Sequence, residues 1–230
     1  MALTINDIFP CPSETFRILE PDKCVKYPTY PGIVGESEAR IVYRRRFGKA
    51  HARFQYQYKG IMTWEYDLIL AFFNRKKGQY EDFYIVDWSK QYNIISVANV
   101  LATTCDYTLN TVTGLTDSAG YVGNTLLLYN PRFDVQKGTA DKNIVTIDSI
   151  ASTTISATKN QSGRTHLDIP ASYIYVLVPV IFETDSLSPN MGDSCIEKTR
   201  PYFPGYGNQY IIGATYSIDI PFLQLGVNQE

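Results

Sequence analysis

Polar and apolar residues alternate strictly between Arg53 and Lys59. Arg53, Gln55, Gln57 and Lys59 take one face, and Phe54, Tyr56 and Tyr58 take the other. That period of two predicts a strand with one buried face. The period then changes. Trp64, Leu68 and Phe72 recur every four residues, with Ile69 and Phe73 one position on. This spacing predicts a helix over Trp64–Lys77 with one broad apolar face packed on a sheet. Thr63 suits its N-cap, Arg75, Lys76 and Lys77 suit the negative end of its dipole, and Gly78 suits the left-handed residue that ends it. An aromatic, β-rich run from Phe83 to Val86 follows at once. Arg40 to Trp88 therefore reads as strand, helix, strand.

The flanking segments have other textures. Residues 1–39 carry Pro10, Pro12, Pro21, Pro28 and Pro31. These forbid a long helix and restrict central strands, so the segment reads as an extended arm with short edge strands. It could lie along a neighbouring subunit or wrap its own chain. Residues 93–172 are poor in charge and rich in Thr, Ser, Asn and Gly. Strands are expected near Ile94–Ala98, Thr108–Val112, Thr125–Tyr129, Asn143–Ile150 and Thr154–Ala157. Turn signals at Thr113-Gly114, Ala119-Gly120, Asn130-Pro131 and Lys137-Gly138 separate them. Strands this short and dense suggest a small barrel or sandwich, inserted into the surrounding pattern. Tyr173 to Ile181 reads as a strand buried on both sides over part of its length, and 184–209 as a loop. From Tyr210 to Leu225, Ser217, Asp219 and Pro221 alternate with Ile218, Ile220 and Phe222, which predicts a half-buried strand that pairs back to the first module. The expected fold is mainly β with one helix. Its units are an arm over 1–39, a β domain from 40–92 plus 173–230, and an inserted β barrel or sandwich over 93–172.

Composition narrows the function. The 230 residues carry a net charge of −2, which argues against a nucleic-acid binder that works through a broad basic field. There are 18 tyrosines and 11 phenylalanines. Tyrosine favours strands and also protein contacts, since it offers a rigid apolar face with a polar tip. Cys11, Cys24, Cys105 and Cys195 form no CxxC pair, so no zinc-ribbon or thioredoxin pattern arises. Cys11 and Cys24 could be bridged if a hairpin joins them; buried free thiols are the alternative. The first residues lack the pattern of a signal peptide, and no apolar run is long enough for a membrane span. A chain made in a bacterial cytoplasm and working where it is assembled is expected.

Candidate chemistry is sparse. His51 and His166 are isolated from each other, and neither has a carboxylate at metal-ligand spacing. No nucleophile elbow or phosphate loop occurs. Glu36, Glu38, Asp67, Glu81, Asp82 and Asp87 could pair as in a glycosidase, or simply face solvent and the arginines. No catalytic, cofactor-binding or metal-binding residue is assigned. Arg44, Arg45 and Arg46 form a short basic run. It could contact nucleic acid, or meet acidic groups of the same or a neighbouring subunit. Tyr107, Tyr121, Tyr129 and Phe133 in the inserted module could serve a saccharide site, or the module could dock other proteins.

One stretch is more specific. Ile69, Leu70, Ala71, Phe72, Phe73, Asn74, Lys77 and Gly78, followed by Tyr80, Glu81, Phe83 and the Asp87-Trp88 pair, resemble a motif of the distal tail proteins of long-tailed bacteriophages and their minor-tail relatives. The resemblance covers residues 30–95 well and 210–225 loosely. It implies a split-barrel β domain whose closing strand comes from the C-terminal end, after an insertion. It also implies a structural virion protein, not an enzyme, in a hexameric ring that joins the tail tube protein to the baseplate hub and the tail fibre or receptor-binding proteins. Arg44 to Arg46 would then line a lumen through which DNA passes. Other classes of function are a carbohydrate-binding module or accessory adhesin that takes a host saccharide, and a hydrolase with an unrecognised site.

Overall fold

The computed structural model describes residues 5–10, 18–29, 32–36, 42–46, 51–113, 115, 125–130, 142–159, 167, 169–170, 172–198 and 210–225. In chain order the elements are β1 (Lys23–Thr29), β2 (Gly32–Glu36), β3 (Val42–Arg46), β4 (His51–Met62), α1 (Thr63–Arg75), β5 (Phe83–Val86), β6 (Tyr92–Ala98), β7 (Thr104–Leu109), β8 (Thr125–Tyr129), β9 (Lys142–Ala151), β10 (Thr154–Lys159), β11 (Tyr173–Phe182), β12 (Asn190–Lys198) and β13 (Tyr210–Gln224). Among the described residues the chain is mainly β with a single α-helix.

The alternation at 53–59 becomes β4, with Phe54, Tyr56 and Tyr58 buried. The main sheet runs β1-β4-β13-β11-β5 and is antiparallel throughout. The β1–β4 ladder ends at Thr29 opposite His51. Three residues on, Gly32 faces Arg46 and a two-stranded β2–β3 ribbon begins. A second ribbon leaves from the other end of β4. There β13 pairs with Met62 through Thr215, while Tyr210 to Ala214 pair with β12. Gly192 lies in the bulge of β12, where an added Cβ would stand 2.6 Å from Thr215 Oγ1. The segment 184–209, expected as a loop, therefore contains a strand.

Helix α1 begins one residue earlier than expected and is capped differently. The Met62 backbone N–H donates to Glu65 Oε2 at 2.8 Å, while the Thr63 hydroxyl donates to the Ala214 carbonyl at 3.2 Å. Thr63 thus ties the helix to β13 instead of capping it. At the other end, Lys77 and Gly78 are both left-handed, at φ 51° and 64°. A Cβ on Gly78 would meet Phe73 Cζ at 3.3 Å, so the glycine also permits a close approach. Ile69, Phe72 and Phe73 are buried, whereas Trp64 and Leu68 are half-buried. The helix meets the core through its C-terminal half; nearer its start, Tyr66 stacks on Tyr216 with ring centroids 4.8 Å apart.

The N-terminal arm is in part a plug. Ile8 bridges Tyr84 in parallel, and the Phe9 N–H donates to the Tyr84 carbonyl at 2.8 Å. Phe9 is fully buried and lies edge-on to Phe72 (5.1 Å), Phe182 (5.5 Å) and Phe222 (5.3 Å). Asn6 and Asp7 are held by Arg75 and Lys76 at the end of α1. Within the stretch read as an arm, Phe9 sits in the centre of the aromatic core, and 23–29 form β1, an edge strand of the main sheet.

Residues 92–176 close into a barrel. The strands pair in the cycle β6-β7-β10-β9-β8-β11 and back to β6, all antiparallel. Closure removes unpaired edges. Ile94, Tyr107, Leu128, Val145, Ile155 and Ile174 are among its buried apolar residues. Expected Thr108–Val112 is in fact β7, four residues earlier, with Cys105, Tyr107 and Leu109 buried. β11 serves both sheets. Tyr173–Val176 pair with β8, and Leu177–Val180 pair with β5. Val86 and Leu177 are paired neighbours, so the barrel leaves and rejoins the main sheet at one place.

Phe9→Ala should lower stability by about 3–5 kcal/mol, as much as Phe72→Ala, because each empties a buried aromatic site. Tyr80, 83% exposed, should tolerate alanine within about 0.5 kcal/mol. Urea melts of the three variants check this ordering. Replacing 92–176 with a short Gly/Ser linker should leave a cooperatively melting main sheet by circular dichroism. Removing only 93–172 strands Tyr173–Val176 without partners and should melt earlier.

Candidate functional site

The outer strands of the main sheet, β1 and β5, meet through side chains at a polar seam. Lys26 Nζ lies 3.1 Å from Asp87 Oδ2 and 5.0 Å from the centre of the Phe54 ring. Asp87 is almost wholly buried, and its Oδ1 accepts from the Ser89 backbone N–H at 3.2 Å and from the Ser89 hydroxyl. The Tyr56 hydroxyl donates to the Val86 carbonyl, and the Tyr58 hydroxyl to the Leu19 carbonyl at 3.2 Å. Beside them Trp88 packs on Tyr175 and Tyr129, at centroid distances of 5.0 and 6.3 Å.

This seam gathers a thiol, a carboxylate and an amine, the residue types of a nucleophilic site. Its electrostatics point to closure of the sheet. Burial, then the Asp87 charge, pushes the Cys24 thiol up to about 11, so it is protonated at neutral pH and a poor nucleophile. Asp87 already accepts from Lys26 and Ser89. Burial raises the Tyr56 and Tyr58 hydroxyls well above their usual range. Burial also raises the Glu20 carboxyl, against a hydrogen bond with Tyr129 that lowers it. Among the described residues no group of three or more His, Cys, Asp or Glu could hold a metal ion.

The residues singled out by sequence are scattered. Arg44, Arg45 and Arg46 lie on β3, opposite Val34, Ile33 and Gly32 of the ribbon. His51 starts β4 opposite Thr29, and His166 lies outside the described residues. Of the aromatics considered for a sugar, Tyr107 and Tyr129 are buried and cannot offer a stacking face; Tyr121 and Phe133 lie outside the described residues. Trp64, Leu68, Ile69, Phe72, Phe73 and Gly78 belong to α1 and its end, as above.

A surface that the sequence reading missed lies on the outside of the barrel. Directly paired residues form three rows across adjacent strands. Thr104, Thr158, Thr146 and Thr125 make the first. Ala98, Asp106, Ser156 and Ser149 make the second. Ser96, Thr108, Thr154 and Ala151 make the third. The side chains bond to one another. The Ser156 hydroxyl and Asn99 Nδ2 donate to Asp106, Thr158 donates to Asp148 at 2.8 Å, and Thr108 and Thr154 are 3.3 Å apart. These rows contain no lysine, arginine or aromatic residue. The signal was present as Thr-x-Asp-x-Thr at 104–108 and Thr-x-Ser-x-Thr at 154–158, but only the register aligns them.

No protein-family model matches the chain, and no curated protein matches it. Among the described residues no helix is long and apolar enough to cross a membrane.

Cys24 should resist iodoacetamide in the native state at pH 8 and react on unfolding, by mass spectrometry. The sign of its linkage follows from its raised folded value. The protonated thiol contributes stability that is full below its ordinary 9.0 and lost as pH climbs through about 11. Cys24→Ala should therefore shrink the fall in melting temperature between those values, leaving the part that Tyr56 and Tyr58 contribute.

Proposed function

We propose that this chain is a structural subunit of the tail tip of a long-tailed bacteriophage. It is a split-barrel protein that forms a hexameric ring between the tail tube protein and the baseplate hub with its fibre or receptor-binding proteins. The observation that carries this reading is the β4–β13 ladder, from Thr215 opposite Met62 to Leu223 opposite Arg53. A strand from the C-terminal end completes a sheet begun in the N-terminal half, with a whole barrel inserted between them. That is the order implied by the motif at Ile69–Gly78 and Asp87-Trp88.

The two ribbons favour assembly. They leave the sheet from opposite ends of β4, and a two-stranded ribbon is marginal alone in water. Unlike surfaces at opposite ends suit head-to-tail contact between copies, which closes into a ring when the rotation allows. A seam that holds its thiol protonated, with its carboxylate already engaged, fits a scaffold.

Mass photometry of the purified chain should show a species of six protomers, and negative-stain images a ring. A monomer at every concentration, or hydrolysis of a cell-wall polymer by the purified protein, would overturn the reading.

A further inference from the structure

The slot that holds residues 5–10 has the features of a docking site for an extended peptide. Ile8 bridges Tyr84 on the free side of β5, and the Phe9 N–H donates to the Tyr84 carbonyl. This is strand addition, in which main-chain bonds give affinity and side-chain pockets give selectivity. The two pockets differ. Phe9 enters a cage of Tyr56, Phe72, Phe83, Phe182 and Phe222, with ring centroids between 5.1 and 6.3 Å away. Ile8 enters the second cluster, with Val86 and Leu177. Both side chains are wholly buried. Two cations at the end of α1 read the residues before them. Arg75 donates to the Asn6 carbonyl at 2.6 Å, and Lys76 Nζ meets Asp7 Oδ1 at 3.1 Å. The slot is thus fitted to the run Asn-Asp-Ile-Phe.

None of these contacts depends on which chain supplies the segment. Only residues 11–17 join it to Ile18. In the closed form the chain must come back within that length, because Ile18 shares a cluster with Ile8. Pro10 and Pro12 bias the residues before them to extended backbone. A stretch that resists reversal favours running on to another copy. The steps from Pro10 to Ile18 span up to about 27 Å when extended, which sets the reach to a neighbour's slot. We propose that this slot takes the N-terminal segment of a second copy: in the assembled ring residues 5–10 of each protomer cross to the next, and the single chain is the closed form. This rests on the ring reading above and specifies one of its contacts. Exchange of an identical element keeps every native contact, so it is a low-cost route to an oligomer. The remaining cost is the lost freedom of a second chain, which ring closure offsets by making the last contact intramolecular. A protomer that gives its segment forward and receives one from behind makes a head-to-tail contact.

Zero-length carbodiimide coupling tests the exchange on the unaltered chain, since it joins an amine to a carboxylate only where they touch, as Lys76 and Asp7 do. Copies carrying ordinary and heavy nitrogen are unfolded in urea, mixed in equal amounts, refolded together and coupled. Monomers and oligomers are then separated, and their Asp7–Lys76 linked peptides are weighed by mass spectrometry. In the oligomers about half of the links should join a light chain to a heavy one, the share set by random neighbours in a ring. In the monomers every link should be unmixed, as the closed form requires. Oligomers whose links are all unmixed overturn the proposal and leave the ring reading standing. A chain that stays monomeric at every concentration overturns both. The slot is tested separately on the full chain with Phe9→Ala. A synthetic peptide of residues 1–10, added in excess, should raise its melting temperature by several degrees, and the same peptide carrying Phe9→Ala should not. Equal effects of the two peptides, or none, overturn the proposal, because the slot then does not take the segment from a separate chain.

Discussion

The rest of the structure depends on one strand that belongs to two sheets. β11 gives its first four residues to the barrel and its last six to the main sheet, so both of its faces must be apolar. Ile174, Val176, Val178, Val180 and Phe182 join the larger core, while Tyr175 and Leu177 point into a second cluster with Ile8, Ile18, Val86 and Leu127. Nothing in the run Tyr173–Phe182 is charged, which explains why it is the longest apolar stretch of the chain. Pro179 interrupts it without breaking it. The ladder to β13 covers Val180 to Phe182, and the Leu225 N–H closes onto the Pro179 carbonyl at 3.0 Å. Pro179 thus contributes its carbonyl as an acceptor at the end of that ladder.

A shared strand fixes the two sheets to each other but leaves a joint to be covered. The N-terminal segment covers it. Ile8 and Ile18 lie in the second cluster against the outside of the barrel, and Phe9, next to Ile8, lies in the first. Adjacent residues of one strand-like segment thus reach two different cores, as the period of two requires. The seam at Lys26 and Asp87 does similar work with polar groups. Two buried tyrosines there bond to main-chain carbonyls, which satisfies the hydroxyls where a plain aromatic would leave an acceptor alone.

Local patterns were legible where one face of an element is buried. β4 and β13 alternate, and α1 repeats every three to four residues, so each showed its period. Phe9 did not, because Pro10 and Pro12 follow it closely and its five aromatic contacts come from α1, β4, β5, β11 and β13. β12 was invisible for the opposite reason: it has a ladder, but its sequence shows no alternation of apolar and polar positions. The seam joins residues 61 apart, and barrel closure joins Tyr92 to Ile174; neither leaves a local trace. Trp64 and Leu68 showed the right period but the wrong weight, since a helix that approaches a sheet at one end buries only that end. The basic run at Arg44–Arg46 was plain in the sequence, while the hydroxyl face of the barrel exists only once β6 to β10 are in register.

Where the chain keeps its edges follows from these constraints. The barrel is closed, and the free side of β5 is taken by Ile8 and Phe9. Beside β1, Lys26 engages Asp87. Among the described residues β1 pairs only with β4, so its outer edge keeps unpaired ladder groups, as do the outer edges of the two ribbons. Unpaired strands invite association with any similar edge, and confining them to β1 and the ribbons confines where another chain could add a strand.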